Sequence, residues 1–179
     1  CAIGNQFGLG LSVTCGVVSA LHRTGTGFNP IEDFIQTDAT VNPGGSGGAL
    51  VNERNEMVGL VSAIFTKESD SNIGVNFAIS TEMVLRVIND LKEFGRVKRG
   101  KSGIRVGALD VNQRRTKFGV PITFVTNRGA GFKAGLRPGN RIIKIGARFI
   151  RKPGDVSSAF HKYKPGDQVK IEYFDKSKR

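Results

Sequence analysis

Apolar and polar positions alternate in short runs through the first eighty residues. Stretches rich in β-branched residues at 13–21, 34–40, 49–52, 57–65 and 76–80 are separated by glycine, asparagine, proline or charged clusters. Runs of this length and spacing predict the strands of a barrel or sandwich. The period then changes. Met83, Val84, Val87, Ile88, Leu91 and Phe94 recur every 3.6 residues behind Ser80 or Thr81 as N-cap, with Glu82 in the first turn and Gly95 placed to end a helix. This helix closes a first unit. After a basic stretch at 96–101, strands are predicted at 103–106, 122–126, 141–145, 147–150 and 168–174. A short helix over 155–163 carries one apolar stripe of Val156, Ala159, Phe160 and Tyr163, with His161 off it. The pattern predicts a mainly β protein with two domains, 1–96 and 97–179.

Composition sharpens that division. The chain has 179 residues, 39% of them apolar, with 24 glycines and no tryptophan, which suits a packed, turn-rich β protein and excludes a disordered or fibrous one. Residues 1–95 carry five Lys/Arg against ten Asp/Glu, a net of −5, whereas residues 96–179 carry 22 against five, a net of +17. An acidic partner would therefore meet the second half. Nucleic acid is not the expected one. The basic residues are scattered over strands and loops, without a recognition helix or an aromatic stacking platform.

The uncharged stretch at 1–21 is neither a transmembrane segment nor a signal peptide, because Asn5, Gln6, Ser12, Thr14, Ser19 and four glycines interrupt it. With no initiator Met or N-terminal cap, the chain is expected to begin inside a domain. Cys1 and Cys15 read as two buried thiols on separate strands, the other arrangement being a pair facing each other across a hairpin. With only His22 and His161 beside them, no metal site or cofactor is expected.

The chemistry concentrates in Asn42-Pro43-Gly44-Gly45-Ser46-Gly47-Gly48-Ala49-Leu50. A serine framed by glycines on a tight turn leading into an apolar strand stands clear of its neighbours. The glycines let backbone amides converge on one point, as acyl transfer requires. This run occurs in a fixed order with Ala2-Ile3-Gly4-Asn5, Phe7-Gly8-Leu9-Gly10, Gly16-Val17-Val18-Ser19-Ala20-Leu21, Phe34-Ile35-Gln36-Thr37-Asp38-Ala39 and Asn76-Phe77-Ala78-Ile79. Together they resemble the HtrA/DegP family of chymotrypsin-fold serine proteases with PDZ domains. In the second half, Gly129, Ala134-Gly135-Leu136, Pro138-Gly139 and Ile142-Ile143 resemble the middle of an HtrA PDZ domain more loosely.

The resemblance implies the C-terminal half of a chymotrypsin-like double barrel, then a helix and a PDZ-like α+β domain, with the N-terminal barrel outside this chain. It implies Ser46 as nucleophile, the amides of Gly44 and Ser46 as oxyanion hole, residues 22–33 as a sensor loop and 65–73 as a loop lining the specificity pocket. Thr40 stands where trypsin-like enzymes hold a carboxylate, and Val41 with Ile64 suggests a small apolar pocket. Ser102, Gly103 and Ile104 align with the PDZ loop that binds a peptide's terminal carboxylate. The implied partners are unfolded proteins and peptide C-termini, in a trimer-based homo-oligomer of the bacterial periplasm or envelope.

Departures from the family pattern carry their own expectations. Only 45 residues precede Ser46, so the triad histidine and aspartate are absent and the chain alone is expected to be inactive. His22 reads as an exposed loop histidine and Asp38 as a strand-end carboxylate satisfied by backbone amides. Gly45 replaces the family's usual Asn, Ser102 its usual apolar residue and Asn140 its usual Asp. A non-catalytic peptide-binding or chaperone module is the rival expectation.

Overall fold

The computed structural model describes residues 1–64, 74–108 and 118–175, and the chain divides into two units, Cys1–Val97 and Lys98–Arg179. In the first, seven strands form one antiparallel sheet: β1 (Ala2–Gly4), β2 (Ser12–Thr14), β3 (Val18–Arg23), β4 (Phe34–Thr37), β5 (Ala49–Val51), β6 (Met57–Ile64) and β7 (Asn76–Ser80). Their order is β2-β1-β5-β6-β7-β4-β3. Laid flat, the outer strands β2 and β3 would stand about 29 Å apart. Only residues 15–17 join them, and such a link reaches about 14 Å when extended. The sheet must therefore curl until its edges approach, and Ile35, Val41, Leu50 and Val61 fill the interior with Ala2, Ala39 and Ala78.

The run at 13–21 divides into β2 and β3 at residues 15–17, where the chain passes so close to residues 38–39 that a Cβ on Gly16 would clash with Asp38 Oδ1 and with the Ala39 backbone. Just beyond, the Val17 N–H donates to that same Asp38 oxygen at 2.7 Å, the backbone satisfaction expected of this carboxylate. Cys1 and Cys15 are not the two free thiols expected. Antiparallel pairing sets Ala2 opposite Thr14, which makes Cys1 and Cys15 the next opposed pair, 4.0 Å apart at Cα and joined as a disulfide. The strand register brings the two sulfurs together.

Helix α1 (Thr81–Phe94) has the predicted ends. Ser80 Oγ accepts from the Met83 N–H at 3.4 Å, and Gly95 takes the left-handed conformation at φ 66°. α1 lies against β6 and β7. Its predicted apolar stripe is only partly covered: Met83, Val84 and Val87 are half-buried, while Ile88, Leu91 and Phe94 are exposed.

The second unit holds β8 (Ile104–Val106), β9 (Val120–Val125), a one-turn α2 (Ala130–Lys133), β10 (Arg141–Ile145), β11 (Arg148–Phe149), α3 (Pro153–His161) and β12 (Ile171–Phe174). The antiparallel order is β11-β10-β9-β8, with β12 also on β10. Among the described residues β8 pairs only with β9, so its other edge is open. Val120, Ile122, Leu136, Ile142 and Ile145 centre the core, which Val156 and Ala159 of α3 join.

α3 starts two residues before the predicted position. Pro153 suits the first helical turn, and the Asp155 carboxylate accepts from the Arg151 and Lys152 N–H groups at 2.9 and 3.1 Å. The helix ends at His161, so Val156, Ala159 and Phe160 of the predicted stripe lie on it while Tyr163 follows it and packs against the core, and the buried face is wider than the stripe. Asp155, Ser158 and His161 form a second, polar row that is also buried.

Candidate active site

The loop between β4 and β5 presents Ser46 to solvent over a buried Gly45. Its backbone bonds tie it down on both sides of the serine. Gly45 N–H donates to the Asn42 carbonyl at 2.9 Å, Gly48 N–H to the Gly45 carbonyl at 3.0 Å, and Gly47 N–H to the Val61 carbonyl of β6 at 2.8 Å. The amides of Gly44 and Ser46 donate to no group among the described residues. Those are the two amides expected to form an oxyanion hole. Gly44 has φ +92°, and a Cβ there would stand 2.4 Å from the Asn5 carbonyl oxygen, so both the backbone angle and the close approach require glycine. Ser46 Oγ donates to the Ser62 carbonyl at 3.3 Å.

Around the serine, Thr40 is exposed, and its carbonyl accepts from Thr14 Oγ1 and from Gln6 Nε2. Val41 is 3% exposed and belongs to the interior of the sheet, close beneath Gly45. Ile64 ends β6, its backbone paired with Asn76. Residues 65–73, expected to line the pocket, lie outside the described residues.

The segment from Thr24 to Asp33 is organised by two buried carboxylates. Glu32 accepts from the Thr26 N–H and Oγ1, both at 2.7 Å, from the Phe28 N–H at 2.8 Å and from the Asn29 N–H at 3.2 Å. Burial pushes the Glu32 carboxyl up, but these hydrogen bonds outweigh it and hold the group below its ordinary value. Phe28 packs over Phe34 and Phe77 with ring centroids 6.3 and 5.8 Å away. His22, expected in a loop, stands in β3 with φ 57°, and its half-exposed ring bonds the buried Asp33 through Nδ1 at 2.9 Å. Two contributors escaped sequence reasoning: Glu32 and Gln6. Neither belongs to a motif, and the only local signal is a polar side chain inside a glycine-rich or asparagine-rich turn.

In the second unit the three residues expected to receive a carboxylate form the turn into β8. The Ser102 carbonyl accepts from the Gly131 N–H at 2.8 Å and the Gly103 carbonyl from the Thr126 N–H at 2.7 Å. Gly103 has φ +70°. The N–H groups of Ser102 and Gly103 donate to nothing among the described residues, and the Ile104 N–H reaches Ser102 Oγ at 3.5 Å. His161 is buried at 7% exposure on α3. Asn140 Oδ1 accepts from the Arg137 N–H at 2.7 Å, so the residue in the place of the family's Asp still closes that turn.

No group of three or more His, Cys, Asp or Glu able to hold a metal occurs among the described residues, and no helix there is long and apolar enough to cross a membrane. A curled antiparallel sheet that raises a glycine-framed serine beside two uncommitted amides is the architecture of the trypsin-like serine peptidases. Residues 1–60 match the family model described as a trypsin-like peptidase domain.

Within that class the chain belongs to the HtrA/DegP family. It is 42% identical over 161 residues to a probable periplasmic serine endoprotease DegP-like protein of Buchnera aphidicola, covering 85% of this chain and 33% of the relative. It is 41% identical over 157 residues to the periplasmic serine endoprotease DegP of Escherichia coli K12, covering 83% of this chain and 32% of that protein. A solved HtrA-type protease, AlgW with a tripeptide, superposes with a TM-score of 0.74 at 36% identity over 99% of this chain and 60% of its own. The chain thus spans about a third of the length of the curated relatives it matches.

Proposed function

We propose that the complete protein is a serine endopeptidase that degrades misfolded or unfolded proteins through an acyl-enzyme on Ser46. Ser46 Oγ attacks the scissile carbonyl, and the oxygen that becomes negative is received by the Gly44 and Ser46 N–H groups. The single observation that carries this reading is that, between Gly44 and Gly48, these two amides donate to no described group while those of Gly45, Gly47 and Gly48 are spent on the turn. Among the described residues Ser46 Oγ is bonded to the Ser62 carbonyl and His22 to Asp33, so His22 is not taken as the base. With Thr40 in the place of the carboxylate of trypsin-like enzymes and the apolar residues Val41 and Ile64 near it in the family pattern, the pocket is read as carrying no fixed charge, which suits small aliphatic side chains before the cleaved bond.

The second unit acts as a PDZ domain. A peptide's terminal carboxylate sits on the N–H groups of Ser102, Gly103 and Ile104, and its chain adds as a strand to the open edge of β8. The names of the relatives support a periplasmic location, and the family supports trimer-based assembly. Casein digestion by the complete protein, with product sequencing, tests the reading. Cleavage after small aliphatic residues that disappears in Ser46→Ala supports it. Cleavage after Lys or Arg, or cleavage that survives Ser46→Ala, rejects it.

A further inference from the structure

Gln6 lies in the single 3-10 turn after β1, far from Ser46 in sequence, yet its side chain is 8% exposed and spent wholly on the nucleophile loop. Its Nε2 donates to the Thr40 carbonyl at 3.2 Å, and its Oε1 accepts from Asn42 Nδ2 at 2.9 Å. The next residue continues the clamp: the Phe7 N–H donates to the Pro43 carbonyl at 2.7 Å. Residues 6 and 7 together thus hold three successive anchor points, at 40, 42 and 43.

The last of these sets the direction of a catalytic amide. In a trans peptide the carbonyl oxygen and the following N–H point opposite ways. Fixing the Pro43 oxygen toward Phe7 therefore turns the Gly44 N–H to the other side, where it donates to no described group. The turn closed by the Gly45 N–H on the Asn42 carbonyl restricts that peptide but is compatible with either orientation of it. Pro43 has no N–H, Gly45 has no side chain, and Gly44 at φ +92° has the conformational freedom to let the peptide plane rotate. The clamp also has a cost, since Phe7 sits at φ 56°, ψ 14°, a left-handed conformation that a bulky residue adopts only where its surroundings hold it.

We propose that Gln6 is a positioning residue that keeps the Pro43–Gly44 peptide in the orientation presenting the Gly44 N–H to the oxyanion. The proposal rests on reading Gly44 and Ser46 as the oxyanion donors. It adds that the amide side chain of Gln6, as donor and acceptor at once, is what keeps the loop in one state.

The test uses the 179-residue chain labelled with nitrogen-15 and the amide signals of Gly44, Gly45 and Ser46, which need no catalysis. Gln6→Met keeps the bulk and removes both bonds. Gln6→Glu keeps the acceptor for Asn42, but when ionised it cannot donate to Thr40. When protonated it can do both, as glutamine does. In the native chain each of the three amides gives one sharp signal. In Gln6→Met they split or broaden, while Ala49–Val51 of β5 keep their shifts. In Gln6→Glu they split at about pH 7.5 and return to single signals near about pH 4. Acid rescue distinguishes positioning from mere filling of space, and it decides the matter if Gln6→Met fails to fold. Unchanged signals in both variants, or a disturbance spread through the sheet with no acid rescue, overturn the proposal. A loop that responds as expected while Ser46 proves not to be the nucleophile would leave the clamp standing and remove the function, so the two failures are separable.

Discussion

Each unit of this protein contains a turn in which two nearby amides donate to no group among the described residues. In the first, Gly44 and Ser46 do so beside a hydroxyl; in the second, Ser102 and Gly103 do so beside an edge of β8 that pairs with no other described strand. The same backbone device sits in opposite settings. The nucleophile loop lies in the sequence half of net charge −5, is bonded on both flanks and is clamped by Gln6 from a distant turn. The loop before β8 lies in the half of net charge +17 and is held by two backbone bonds. A developing oxyanion exists only briefly, so its donors must be in place beforehand. A peptide carboxylate is charged from the start, and a positive field assists its arrival. On this account the first loop depends on rigidity and the second on charge.

The largest effect expected from this contrast is in the first loop. Gly44→Ala places a Cβ 2.4 Å from the Asn5 carbonyl oxygen at φ +92°, which displaces the donor. In the complete protein kcat should fall by about 10²–10³, with KM nearly unchanged. An unaltered kcat would mean that the Gly44 amide does not serve the transition state. In the second loop the expected effect is smaller and resides in the ligand. Peptides with an apolar free C-terminus should bind residues 97–179 about tenfold or more tightly than their amidated forms, the worth of charge-assisted hydrogen bonds. Calorimetry on matched peptides measures this, and the difference should shrink as salt rises. Equal affinities would remove the carboxylate role of Ser102, Gly103 and Ile104.

Acid sharpens the comparison further. Glu32 is held below its ordinary value of 4.5, so its stabilisation is complete above about pH 4.5 and is lost as pH falls through the lower folded value. Amide exchange in residues 24–33 should therefore accelerate below pH 4.5, after correction for intrinsic rates, while the Gln6-clamped loop, held by a neutral amide, does not follow. Glu32→Gln should remove that acid step and cost about 1–2 kcal/mol at neutral pH. Smallest of all, Gly47→Ala meets no atom within 4 Å and carries only the strain of φ +85°, about 1–2 kcal/mol by chemical denaturation. A destabilisation by Gly47→Ala as large as that measured by the same denaturation for Gly44→Ala would show that backbone angle, not the contact with Asn5, accounts for both.

Local chemistry was legible from the sequence and distant pairing was not. Ser80 and Gly95 bound α1 as predicted because capping depends on residues within one turn. The glycines around Ser46 announced a turn for the same reason. The Cys1–Cys15 bond depended on the register between β1 and β2, which alternation of side chains leaves open. Gln6 is 34 and 36 residues from the groups it holds, and nothing near it in the chain signals their approach. His161 lay off the apolar stripe, yet it is buried because α3 also covers a polar row with Asp155 and Ser158.

Every role assigned to the nucleophile loop depends on the chemistry of Ser46. The complete protein should be treated with a fluorophosphonate and the adduct located by peptide mass. One adduct on Ser46, absent from Ser46→Ala and from the 179-residue chain alone, is the result this account predicts. An adduct on another residue, or equal labelling of the Ser46→Ala protein, would contradict it.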